Sequence, residues 1–144
     1  TQLRLLADKL TARGLPVIST REPGGTPLGK KLRAALLDVS EQVDPLTELL
    51  VFAADRAQHV RMHLRPALDQ NQVVLSDRYA DATVAYQGAG NGVSRQLITQ
   101  LAEAAHPGLK PDRTLIFDCP YEVSSARLAS RSRPASACNA ATLC

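Results

Sequence analysis

The chain of 144 residues contains no tryptophan, one methionine and only 3% aromatic residues. So few rings exclude a base-stacking platform of the single-strand-binding kind, and they make Phe52 and each of the three tyrosines individually informative. Three cysteines, Cys119, Cys138 and Cys144, stand in no C-x-x-C or Cys/His metal spacing. Without a disulfide framework they are expected to be reduced thiols in a cytosolic setting. No apolar run approaches the ~18 residues of a membrane span, no signal-peptide pattern is found, and no internal repeat is seen. The net charge of +3 is too small to argue for nucleic acid, and no clustered basic face accompanies it.

What is present suits one packed domain: 44% hydrophobic and 22% charged residues. Leu3, Leu6 and Leu10 recur at helical spacing, with Leu5 beside them, and Gly14 is placed to end that helix. Leu15 to Thr20 reads as a short buried strand. Thr26-Pro27 is a helix start, Thr as cap and Pro at the first position, followed by Leu28, Leu32 and Leu36 on one face. Asp44-Pro45 repeats the signal and opens a long helix to about Arg65. Its expected core stripe is Leu46, Leu49, Leu50, Ala53, Ala57, Val60 and Leu64, with Phe52, Arg56, His59 and His63 on the neighbouring face. Val73 to Ser76 is a second strand. A short helix over Asp81 to Tyr86 and a mobile glycine loop at 88–92 follow. Ser94 caps a helix carrying Leu97, Ile98 and Leu101, stopped by His106-Pro107-Gly108. Thr114 to Phe117 is a third strand, and Pro120 starts a last helix with Arg127 and Arg131 four apart. Strands alternating with helices predict an α/β fold with a parallel sheet. From Pro134 on, the small-residue run reads as a disordered or aberrant tail.

Chemistry-bearing residues gather at the predicted strand ends, where open α/β sheets bind ligands. Arg21-Glu22-Pro23-Gly24-Gly25-Thr26 follows the first strand. Ser76-Asp77-Arg78-Tyr79 ends the second, and Ala85-Tyr86-Gln87-Gly88 lies just beyond. Such charges suit a phosphorylated small molecule. Residues 24–31 nearly spell a phosphate-binding P-loop, but Lys31 occupies the position of the hydroxyl that would meet Mg²⁺. The Thr26-Pro27 start also buries Gly29 within a helix, whereas a phosphate loop needs its amides free. His59 and His63 are four apart, yet no glutamate follows His59 in the H-E-x-x-H sense, so no metal site is expected.

Four segments in this order, REPGGTPLG at 21–29, FAADRAQ at 52–58, SDRYADATVAYQGAGNG at 76–92 and PDRTLIFDCP at 111–120, resemble bacterial thymidylate kinase, a P-loop nucleoside monophosphate kinase. The likeness runs from Thr1 to about Arg133. It implies a three-layer, mostly parallel sheet of the P-loop nucleoside monophosphate kinase type, incomplete because the first strand is missing. The expected organisation is a partial kinase domain over 1–133 and a tail over 134–144. The implied activity is phosphoryl transfer from ATP to dTMP, giving dTDP and ADP, with Mg²⁺.

By resemblance, Asp77 and Arg78 are catalytic, Arg78 offsetting charge in flight and Asp77 placing Mg²⁺ through water. Glu22, Pro23, Phe52, Arg56, Arg78, Thr83, Tyr86 and Gln87 line the dTMP site. Phe52 stacks on thymine, Arg56 clamps the phosphate, Thr83 and Gln87 sit near the base edge, and Tyr86 packs by the sugar. Arg21 is matched as well. Arg127, Arg131 and Arg133 belong to the ATP lid. The chain departs from the family in two ways: the Walker A loop is not among its residues, and the pattern stops after Arg133. It is therefore expected to be a fragment whose turnover is poor. The residues alone leave open a core Phe52 with a surface Arg56, an Asp77–Arg78 ion pair, a purely structural turn at 22–25, and a solvated lid helix. A kinase for another nucleotide, or an inactive nucleotide-binding fragment, is the competing functional reading. Family members are commonly homodimers.

Overall fold

The computed structural model describes residues 2–38, 40 and 42–130. It divides into two units, residues 1–108 and 109–144. In the first, α1 (Gln2–Thr11) half-buries Leu3, Leu6 and Leu10 and leaves Leu5 outside. It stops as expected at Gly14, whose φ is 80°. There the Gly14 N–H donates to Thr11 and the Leu15 N–H to Leu10, satisfying the last carbonyls.

Strand β1 (Val17–Arg21) is half-buried rather than buried. It pairs in parallel with β2 (Val73–Asp77). The register runs from Val17 opposite Val73 to Arg21 opposite Asp77, so both strands deliver their terminal charges to one sheet edge. Helix α1 packs on both strands, and the short helix Arg65–Asp69 on β2.

The helix starts follow the cap chemistry. Thr26 Oγ1 accepts the Gly29 N–H at 2.9 Å to open α2 (Pro27–Leu37). Asp44 Oδ1 accepts the Leu46 and Thr47 N–H groups, each at 3.0 Å, to open α3 (Pro45–His59). On α2 the buried residue is Gly29. Leu32 and Leu36 are half-buried and Leu28 is exposed, so the expected leucine face is only partly inside.

Helix α3 does not end near Arg65. It continues through a π turn (Val60–Leu64) into α4 (Arg65–Asp69), making one rod over 45–69. Pro66 falls in the first turn of α4, directly after the π turn. The buried side is also rotated from the expected stripe. Leu49, Phe52, Asp55, Arg56, His59 and Val60 are inside, while Leu46 and Leu50 are exposed. The polar residues win that face because Asp55 holds the Gly24 N–H while Arg56 and His59 both hold the Glu22 carboxylate.

After β2, α5 (Ala80–Thr83) runs into a second π-helical segment, Val84–Gly90. The expected glycine loop is thus helical as far as Gly90. Its end is tied by Asn91 N–H to Tyr86 O and Gly92 N–H to Gly88 O. Helix α6 (Arg95–Ala105) is capped by Ser94 and buries Ile98, as expected. Arg61 donates to the Ala104 and Ala105 carbonyls, and Arg65 to that of Pro107.

In the second unit the expected strand at 114–117 is not formed. Strand geometry persists only with a ladder partner, and no described residue supplies one; Leu115, Ile116 and Phe117 are exposed. The sheet among the described residues therefore has two strands, not three. Helix α7 (Tyr121–Ala129) follows Pro120. The tail at 134–144 and the lid residues Arg131 and Arg133 lie outside the described residues.

Candidate functional site at the carboxyl edge of the sheet

Beyond Arg21 the chain turns through a cis Glu22-Pro23 bond, and the Glu22 N–H donates to Asp77 O at 3.0 Å. The Glu22 carboxylate points inward to α3. Arg56 Nε donates to Glu22 Oε2 at 2.7 Å, and His59 Nδ1 pairs with Glu22 Oε1 at 2.8 Å. The other side of the imidazole, Nε2, bonds Thr20 Oγ1 at 2.7 Å. Arg56 also donates to Thr83 Oγ1 at 3.0 Å and to Tyr79 O at 3.2 Å, and its guanidinium lies 5.4 Å from the Tyr79 ring centre. Glu22, Arg56 and His59 are 5%, 6% and 0% exposed. A buried ion pair is tolerated only when its remaining lone pairs and protons are also satisfied, and here both carboxylate oxygens are used.

Asp55, also buried, anchors the same loop from below: its Oδ1 accepts the Gly24 N–H at 3.2 Å. A Cβ on Gly29 would overlap that oxygen, and one on Gly25 would overlap the His59 ring. The 22–26 turn is therefore seated directly on α3. Burial raises the Asp55 pKa, and Glu22 nearby adds to the rise. Burial likewise pushes the Tyr79 phenol up to about 12.

Outside the turn lie further guanidiniums. Arg33 donates to Pro23 O at 3.4 Å. Its pKa is lowered first by burial and then by repulsion from Arg21 and Arg78. An open cleft of about 360 Å³ lies here, lined by Thr20, Arg21, Gly24, Gly25 and Asp77 among others. Arg78 holds a left-handed backbone, φ 73°, which costs on the order of 1–3 kcal/mol for a non-glycine residue. Its guanidinium lies 5.2 Å from the Tyr86 ring centre.

Between these groups and the amino end of α3, Phe52 is buried one turn from Arg56. One turn further, Glu48 Oε1 accepts from Gln87 Nε2 at 2.6 Å and from Asn91 Nδ2 at 3.2 Å. Phe52 is thus flanked by two polar pairs, Arg56–Thr83 and Glu48–Gln87, that join α3 to the segment at 80–90.

The structure brings together Glu22, Pro23, Phe52, Arg56, Thr83 and Gln87, and sets Asp77, Arg78 and Tyr86 at the adjoining strand end. Phe52 and Arg56 are both buried, so neither is a surface group. Arg127 lies in the second unit. Sequence reasoning missed Thr20, Arg33, Glu48, Asp55, His59 and Tyr79 as members of this network. Gly29 carried a usable signal: a glycine inside a helix marks a close approach, and here the approaching group is Asp55.

Comparisons with known proteins place the chain. A family model described as Thymidylate kinase matches residues 1–141. Thymidylate kinase from Geotalea uraniireducens is 51% identical over 132 residues, covering 91% of this chain and 62% of that protein. The enzyme from Ectopseudomonas mendocina is 50% identical over 136 residues, covering 92% and 64%. A crystal structure of thymidylate kinase from Ehrlichia chaffeensis superposes with a TM-score of 0.72 at 39% identity, covering 77% of this chain and 62% of that one. The chain belongs to the thymidylate kinase family. It spans a little under two thirds of the length of these curated relatives. Its two parallel strands and surrounding helices fit an incomplete P-loop kinase fold. No helix among the described residues is long and apolar enough to cross a membrane.

Proposed function

We propose that this chain carries the acceptor half of an enzyme that transfers a phosphoryl group from ATP to dTMP, giving dTDP and ADP. The observation that carries the reading is the cleft that Arg21 and Asp77 line at the paired strand ends, with Arg33 held on Pro23 O and Arg78 directly after β2. Cations held close against their own repulsion suit a polyanion. Phe52 offers the flat base a stacking face, Arg56 and Thr83 fix its surroundings, and Tyr86 lies toward the sugar. Pro23 and Glu22 form the wall that meets the nucleotide.

A dTMP phosphate is ionised at neutral pH, so this chemistry needs alignment and charge neutralisation more than a base. Arg78 serves as the counter-charge, and the family resemblance assigns Arg127, Arg131 and Arg133 to ATP. Asp77, exposed at the mouth of the cleft, has the donor chemistry to hold Mg²⁺ through water. Mg²⁺ supplies neutralisation of the phosphate oxygens when bound. The sequence contains no G-x-x-x-x-G-K-[ST] run, and the Gly24 and Gly29 amides are bonded to Asp55 and Thr26. The 144-residue chain by itself is therefore expected to bind dTMP and to turn over poorly.

Calorimetric titration with dTMP, beside a coupled ADP-release assay, tests both parts. Saturable dTMP binding with little ADP formation is the expected result. Absence of dTMP binding would overturn the acceptor-site reading, and vigorous turnover would overturn the expectation of weak catalysis.

A further inference from the structure

We propose that Glu48 is a specificity-positioning residue: it locks the Gln87 side-chain amide in one orientation, so that the site presents a hydrogen-bond acceptor to the base and selects pyrimidines that carry an N3–H. The inference rests on the dTMP-site reading above and adds to it the device that enforces one base edge.

The geometry starts from what each group can do. A carboxylate only accepts, whereas a primary amide has an accepting oxygen and a donating nitrogen that exchange places on a half-turn. Glu48 Oε1 takes hydrogen bonds from Gln87 Nε2 at 2.6 Å and from Asn91 Nδ2 at 3.2 Å. Flipping Gln87 would set its oxygen against the carboxylate, two acceptors facing each other. With Glu48 in place, Gln87 Oε1 is the end left over, and no described residue donates to it.

Three features make this more than a surface contact. Gln87 is 2% exposed, so a mismatched partner there finds little water to replace the lost bond. Glu48 lies in the first turn of α3, where the helix end favours a negative charge. Glu48, Phe52 and Arg56 follow one another at four-residue spacing on that helix. The locked amide is thus one turn from the ring that would stack the base, on the same side of the rod. A base bearing a donor at N3, as thymine does, complements Oε1. Cytosine, whose N3 is an acceptor, opposes it.

The experiment is calorimetric titration of the full 144-residue chain and its Glu48→Gln variant with dTMP and with dCMP. A glutamine at 48 can donate or accept, so Gln87 is freed to turn over. The parent should prefer dTMP by at least ~10-fold, the smaller end of what an unmatched buried pair costs. In Glu48→Gln the dTMP/dCMP ratio of Kd values should collapse towards unity, with dCMP binding improved. A merely structural Glu48 would weaken both ligands equally and leave the ratio unchanged, which would overturn the inference while leaving dTMP binding by the parent intact. Failure of the parent to bind dTMP would instead overturn the underlying site reading, and the inference with it. The parent also gives a check that needs no variant. A trans-hydrogen-bond coupling between Gln87 Nε2 and the Glu48 carboxylate carbon should be visible with dTMP bound. Its absence would overturn the lock even if Glu48→Gln fails to fold.

Discussion

Arg56 Nε and Glu22 Oε2 meet at 2.7 Å with both side chains buried, and the second carboxylate oxygen is held by His59 three residues along the same helix. The pair fastens the turn after β1 to the middle of α3. Removing one partner strands the other charge, so Glu22→Gln is expected to lose about 3–5 kcal/mol of stability. Arg56→Met should lose a similar amount. The double variant should cost clearly less than the two single losses together, because no buried charge is left alone. Urea unfolding of the four proteins measures the cycle, and additive losses would show that the two residues act independently. Each single variant is also expected to weaken dTMP binding.

Gly29→Ala sets two effects against each other. Alanine improves the helix by about 1 kcal/mol, but its Cβ would overlap Asp55 Oδ1, which is buried and tied to the Gly24 N–H. Overpacking of that kind costs about 1–3 kcal/mol, so the net change is expected to be destabilising. In an Asp55→Ala background the worst overlap is gone while Thr26 Oγ1 still lies 3.1 Å from the added Cβ, so Gly29→Ala should cost clearly less there than in the parent. Thermal melts of the four proteins report that reduction.

The pH dependence of Asp55 follows from its burial, which lifts its pKa above the ordinary 3.8. Between the unfolded and the folded values the native protein holds the extra proton. Its contribution is therefore complete below the unfolded value and is lost as pH rises through the folded one. Asp55→Asn removes that slope while keeping an acceptor for Gly24. The stability of Asp55→Asn relative to the parent should rise as pH increases from the ordinary 3.8, as read by urea midpoints. A constant difference as pH increases would show that the Asp55 carboxyl titrates alike in both states.

Tyr79 should ionise late. Burial, followed by the Glu22 charge, pushes its phenol up to about 12. Its contribution to stability is complete below the ordinary value of 10.0 and is lost as pH climbs towards 12. Phenolate absorbance during an alkaline titration should show a late component, tied to unfolding, that Tyr79→Phe abolishes.

The local punctuation of this fold is legible in its sequence. Thr26-Pro27, Asp44-Pro45 and Ser94 start helices, and Gly14 and His106 end them, because a cap is decided by neighbours a few residues away. The family is legible too, from four ordered segments that reach both strand ends. What depends on distant partners is not. The rotation of α3, which buries Asp55, Arg56 and His59 and exposes Leu46 and Leu50, is set by Glu22 and Gly24 across the loop. Periodicity favours the leucines because it ranks residues by hydrophobicity and carries no information on pairing. The segment Thr114–Phe117 has strand composition, but a strand also needs a backbone to bond with, and the described residues offer none. Glu48 gave no signal at all, since its partners are the Gln87 and Asn91 amides, far along the chain.

The unbroken rod over 45–69 has a mechanical consequence. Glu48 and Arg56 grip the segment at 80–90 near one end, while Arg61 and Arg65 grip the carbonyls at 104–107 further along. A nucleotide that tightens the first grip stiffens a lever whose other hold is on the closing turn of α6. Slowed amide exchange at residues 104–106, far along the sequence from the proposed base site, would be the remote signature of an occupied pocket.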